Sequence, residues 1–253
     1  MENWRDQGIV LAARAHGESG AVVCLLTESH GRHVGYVQGG QSSRLRGVLE
    51  PGNMVSAEWS SRVADGLGGY RLEQERHMGA LLMHDPLRLG ALQSACALCD
   101  AALPERQPHP GLYHGMLALI ETMTSDIWGA AYVMWELALL RELGYGIELS
   151  RCAGGGDPMT LEWVSPKSGH AVSTAAGAPY KERLMPLPAF LKPQKGDANE
   201  EEILKGLRLA GYFLEHRVFA QSRNGMPPER LRFEERFAKT MKQQDSLQEV
   251  ING

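Results

Sequence analysis

Ala21-Val22-Val23-Cys24-Leu25-Leu26-Thr27 is a short apolar, β-branched run with a glycine turn on either side, His16-Gly17-Glu18-Ser19-Gly20 before it and Ser29-His30-Gly31 after. Such a run between turn signals reads as a buried strand. Working outward, Ile9, Leu11 and Ala13 alternate with Val10, Ala12 and Arg14, and Val34, Tyr36 and Val37 follow on the other side. Met54 to Trp59 and Tyr70 to Glu75 give a fourth and a fifth strand. The connections from Gly39 to Gly52 and from Gly66 to Gly69 are again rich in glycine, which tolerates positive φ. Five short strands in so short a span suit a small closed or half-closed barrel better than an open sheet, because closure removes edges. On strand count, the five-stranded oligonucleotide-binding (OB) barrel is the leading architecture.

Beyond Pro86 the apolar period becomes helical. Leu87, Leu89, Leu92, Ala95, Cys96, Leu98, Cys99 and Leu103 fit a largely buried helix ending at Pro104. Leu112, Met116, Leu119, Ile120 and Met123 give a second, and Ala131, Val133, Met134, Leu137, Leu140 and Leu143 a third that Gly144 caps. A loop-rich insertion runs from Tyr145 to about Pro188. The next helix starts at Asp197 or Asn199, with Glu200, Glu201 and Glu202 in a first turn where the helix dipole favours them, and Gly225 and Pro227-Pro228 end it. The chain therefore reads as α+β, with an N-terminal barrel over residues 1–80 and a mainly α-helical domain over 81–253 that carries an insertion at about 145–188.

Composition narrows the function. At 43% hydrophobic and 22% charged, the chain is not disordered, and four irregularly spaced cysteines make no disulfide framework. The most apolar helical stretch, Trp128 to Leu143, is too short for a bilayer and carries Glu136 and Arg141, so a cytoplasmic protein without a membrane partner is expected. The net charge of −4 conceals an asymmetry: residues 205–242 hold nine basic against four acidic side chains. Arg32, Arg44 and Arg46, with His30 and His33, lie in the acid-free stretch from Ser29 to Leu49. Local charge sets the potential a phosphate backbone meets, although a basic stretch equally suits a solvated helix face. The chain has no phosphate-binding glycine arch, nucleophile elbow, zinc-protease helix or dinucleotide fingerprint, so no catalytic residue is nominated. Cys96-x-x-Cys99 sits inside an apolar helix, and Cys24 inside an apolar strand, where both read as core.

An ordered set of motifs runs along most of the chain. Gly17-Glu18-Ser19-Gly20 leads to Leu26-Thr27-Glu28-Ser29-His30-Gly31-Arg32, then Tyr36-Val37-Gln38-Gly39-Gly40 and the loop from Ser43 to Gly52. In the helical half come Leu137 to Tyr145, Leu149-Ser150-Arg151-Cys152, and Ser222-Arg223. The set resembles the bacterial recombination mediator family RecO. The resemblance implies an OB barrel followed by a helical domain, and a non-enzymatic DNA-repair protein of the cytoplasm and nucleoid. It implies single- and double-stranded DNA, RecR and the single-strand-binding protein SSB as partners, with RecA acted on indirectly. The family's zinc site uses two C-x-x-C pairs; here Cys152 matches one ligand, while Gly155, Ser173 and Ala176 stand at the other three, so no metal or other cofactor is expected. The insertion should then hold by its own packing, around Trp163 and Val164. The loop after the third strand is less basic than the family's, with Gln38, Gln41 and Ser42 in it.

DNA contact is accordingly expected at Arg32, Arg44 and Arg46, with His33 and Arg14 beside them. Tyr36, Trp59 and Tyr70 are candidates for stacking on bases and equally for barrel core. The acidic, apolar-ended tail of SSB needs a greasy pocket rimmed by cations, for which Arg217, Arg223, Phe213 and Leu214 are the candidates. The competing reading is a protein-interaction scaffold that touches DNA only weakly.

Overall fold

The computed structural model describes residues 2–63 and 66–252, with side chains through 243. Strand β1 (Glu2–His16) is long enough to serve two neighbours. Its first half pairs antiparallel with β4 (Met54–Ser61), from Glu2 opposite Ser61 to Ile9 opposite Met54. Its second half pairs with β2 (Gly20–Thr27), and the register shift between Val10 and Ala12 marks the change. Strand β3 (Gly31–Val37) pairs antiparallel with β2 and meets β5 (Gly69–Arg76) in parallel at Tyr36 and Gly69. The result is a closed barrel of order β1-β2-β3-β5-β4. Alternate residues point inward, so Val10, Val23, Leu25, Val55 and Ala57 fill the interior with Trp59 and Tyr70. This is the OB barrel expected from strand count.

Between β3 and β4, where glycine-rich loop was expected, lies a short helix, α1 (Ser43–Val48). The Ser42 hydroxyl accepts from the Leu45 N–H at 3.3 Å and caps it, and Leu45 and Val48 pack onto the barrel core. After α2 (Met78–Leu82), Asp85 caps α3 (Pro86–Ala102) by accepting from the N–H groups of Leu87 and Arg88. Helix α3 lies against β1, with Cys96 and Cys99 wholly buried as the sequence suggests, and α4 (Pro110–Thr122) follows. Residues 1–124 form one compact unit and 125–253 a second. Secondary structure thus changes near residue 80, whereas packing changes later, because α3 is apolar around much of its circumference and stays with the barrel.

In the second unit α5 (Trp128–Glu142) ends at Gly144, whose φ of +83° lets its own N–H reach Arg141 O and the next N–H reach Leu140 O. The insertion folds as β6 (Leu161–Val164), β7 (Ala171–Ser173), the one-turn α6 (Thr174–Gly177) and β8 (Met185–Pro186), with sheet order β7-β6-β8 and Val164 buried. Helix α7 (Glu200–Phe213) is capped by Asn199 and widens into a π turn over Leu214–Val218; α8 (Pro228–Asn252) follows. The fully buried Arg230 donates to Glu136 at 3.0 Å, to Leu207 O at 2.7 Å and to Glu234 at 2.8 Å, tying α5, α7 and α8 together. Among the described residues no helix is long and apolar enough to cross a membrane.

Candidate nucleic-acid interface

Where β1 and β5 begin and β3 and β4 end, the first unit carries an open groove of about 970 Å³. Trp4, Tyr36, Leu45, Trp59, Tyr70 and Arg71 line it. The rings divide into two sets. Trp59 and Tyr70 are buried: the Trp59 indole donates to Leu67 O at 3.1 Å, and the Tyr70 hydroxyl donates to His33 O at 3.2 Å. These two belong to the barrel core, with only an edge of each reaching the groove. Trp4 and Tyr36 are half-buried and present aromatic surface to the groove, Trp4 lying 5.8 Å from Trp59 and nearly parallel to it. Trp4 went unnoticed in the sequence, although stepping back by two from Val10 through Gly8 and Asp6 reaches it.

Arg44 and Arg46 are exposed on α1, on either side of the groove-lining Leu45, and Arg71 is exposed on β5. None of the three has an ion-pair partner among the described residues. Arg5, also on the groove, is paired with Glu58. Gln41 has a structural task, since its amide donates to the carbonyls of Gly17 and Gly20 and pins the β1–β2 turn.

The other expected DNA contacts are differently placed. Arg14 and Arg32 converge on Asp100 of α3, at 2.5 and 3.3 Å, so their charges are half-neutralised within the protein. Burial pushes the Asp100 carboxyl up, but hydrogen bonding and charge from Arg14, a hydrogen bond from Cys24 and the charge of Arg32 outweigh it and hold the group below its ordinary range. His33 is 3% exposed, its Nδ1 lies 2.9 Å from the Tyr70 hydroxyl, and its ring packs edge-on to Trp59, so its place is inside the barrel wall rather than on the surface that the acid-free stretch suggests. Burial, then the nearby charges of Arg106 and His30, lower its pKa to about 4, which leaves it neutral near pH 7.

In the second unit Phe213 and Leu214 are also corrected, because both are buried core and offer no wall for a peptide. Arg217 is half-buried, donates to Lys167 O at 2.8 Å and lies 5.5 Å from the Phe213 ring centroid; Arg223 is exposed. The four positions corresponding to the family's zinc ligands do come together. The Cys152 thiol donates to the Ser173 hydroxyl at 3.3 Å and accepts from the Ser173 N–H at 3.2 Å. The Ala176 N–H in turn donates to the Ser173 hydroxyl, and the Gly155 N–H to Cys152 O. One sulfur and one hydroxyl do not fit a structural zinc, which needs four thiolate or imidazole ligands.

Two family models cover the chain, Recombination protein O N terminal over residues 1–74 and Recombination protein O C terminal over residues 83–224. The chain is 50% identical over 238 residues to a DNA repair protein RecO of Rhodospirillum centenum, spanning 93% of this chain and 95% of that protein. It is 47% identical over 244 residues to the RecO of Rhodospirillum rubrum, spanning 94% and 97%. It is 42% identical over 240 residues to a RecO of Caulobacter vibrioides, spanning 94% and 99%. Barrel, helical unit and comparisons agree: the chain belongs to the RecO family of DNA repair proteins.

Proposed function

We propose that the protein is a non-enzymatic recombination mediator that binds DNA along the barrel groove. The observation that carries this reading is the groove itself, where the half-buried Trp4 and Tyr36 lie beside Arg71 and near the unpaired Arg44 and Arg46 of α1. Cations neutralise phosphates and release counterions, and rings take bases. Membership of the RecO family supports the further roles: annealing complementary strands and, with RecR, helping RecA onto strands coated by SSB, in the cytoplasm and at the nucleoid. The pairing of Arg14 and Arg32 with Asp100 favours the alternative, a repair scaffold with weak DNA contact.

Filter-binding titrations of single-stranded DNA at a series of salt concentrations separate the two. Three phosphate contacts predict a slope of log affinity against log salt of about −2. Weak binding with a flat slope would favour the scaffold.

A further inference from the structure

We propose that a second pocket beside the groove is a subsite for one unpaired nucleobase. This rests on the DNA-binding reading and deepens it, because only a single strand can supply such a base. The pocket measures about 190 Å³ and is walled by Trp4, Ser29, His30, His33, Trp59 and Arg106, with Glu2 at its edge. It shares Trp4 and Trp59 with the groove, so a strand lying in the groove passes its mouth.

The walls are built for a flat heterocycle. His30 stacks on Trp4 at 4.1 Å and 11°, and Trp4 in turn lies 5.8 Å from Trp59 at 21°, so three rings form one stack that a base extends. His30 is held in place by Asp6 at 3.1 Å. Arg106 reaches the site through close packing of chain on chain. Gly31 has a φ of +63°, and a Cβ there would stand 1.9 Å from Gln107 O, so glycine is what lets this segment lie against β3. The Arg106 N–H then donates to Arg32 O at 2.7 Å, and its guanidinium donates to Gly66 O at 2.8 Å while lying 5.8 Å from the Trp59 ring centroid. Arg106, which also stands 4.0 Å from a Glu105 carboxylate oxygen, puts a cation beside aromatic walls, which suits a base carrying its phosphate, and the Glu2 carboxylate can accept from an exocyclic amine. The volume admits one base and not a pair.

The test compares a deoxycytidine oligomer, whose bases carry an exocyclic amine, with an abasic oligomer of equal length, which carries the same phosphates without bases. The full-length protein should prefer the base-bearing strand by about tenfold. That ratio should fall severalfold in His30→Ala, which shortens the stack, and in Ser29→Leu, which fills the mouth from an exposed position and tests the idea should His30→Ala fail to fold. Equal binding of both strands by the parent protein would overturn the subsite, and base stacking in the groove with it, and leave only the groove's phosphate contacts standing. A tenfold preference unchanged in both variants would place base recognition elsewhere and equally overturn it. No binding of either strand would refute the DNA-binding reading and the subsite with it.

Discussion

Replacing Asp100 by Asn removes one negative charge from between two arginines while keeping the side chain's size. The Asp100 side chain is 10% exposed and Arg32 19%, whereas Arg14 is 65% exposed. The pair with Arg14 is solvent-screened and worth under about 1 kcal/mol. The pair with Arg32 is sheltered, and its loss leaves the guanidinium, among the described residues, only Glu105 at 4.0 Å, so the whole change should cost about 1–3 kcal/mol. The folded-state pKa of Asp100 lies below the ordinary value, so its contribution is present above the usual carboxylate range and lost as pH falls through the folded value. The gap between parent and variant in urea titrations should therefore be full at pH 7 and close in strong acid. The same variant frees Arg14 and Arg32, so if they lie beside bound DNA its salt slope should steepen by about 1. A gap below about 0.5 kcal/mol at pH 7 would show that solvent screens both pairs. An unchanged slope would show that these arginines do not meet DNA.

Three further outcomes follow from other parts of the molecule. Arg44→Ala with Arg46→Ala and Arg71→Ala should leave the thermal midpoint nearly unchanged, since all three are exposed, and should flatten the single-strand salt slope by about 2; an unchanged slope would move the site. His33 has a folded pKa lowered to about 4, so stability is full above its unfolded value and falls from about pH 6.5 to about pH 4, by about 3 kcal/mol more than in His33→Gln; equal acid losses in the two proteins would refute its burial as a neutral ring. Burial pushes the Cys152 thiol up, yet hydrogen bonds from Ser173 and from the N–H groups of Gly156 and Gly154 outweigh it and bring it to about 7. Its alkylation rate should rise through pH 7 while the buried thiols stay inert, and metal analysis of tag-free protein should find no zinc; about one zinc per chain would contradict the ligand count.

What was legible in the sequence was whatever alternates or repeats locally. Strand β2 announced itself because all its residues but Val22 are buried between glycine turns. The first half of β1 did not, because Glu2 to Gln7 is mostly polar and gains its place only by pairing with β4, from Glu2 opposite Ser61 to Gln7 opposite Ser56, far along the chain. Helix α1 was hidden by its brevity and by Gly47 within it; a serine cap, two apolar side chains and the Asn53 amide, which donates to the carbonyls of Gly47 and Val48, hold it. In the site, Arg44 and Arg46 could be named from local charge. Asp100 could not, since it meets Arg14 and Arg32 across 86 and 68 residues of chain. The same limit explains Phe213 and Leu214: a helix that is apolar on one face looks alike whether that face meets a partner peptide or its own bundle.

Photo-crosslinking of a bromodeoxyuridine-substituted single strand reads directly whether DNA lies across the barrel groove. Mass spectrometry of the digested adducts should place crosslinks on peptides containing Trp4 and Tyr36, the half-buried rings of the groove. Efficient crosslinking confined to peptides of residues 125–243 would contradict it, moving the DNA to the helical unit.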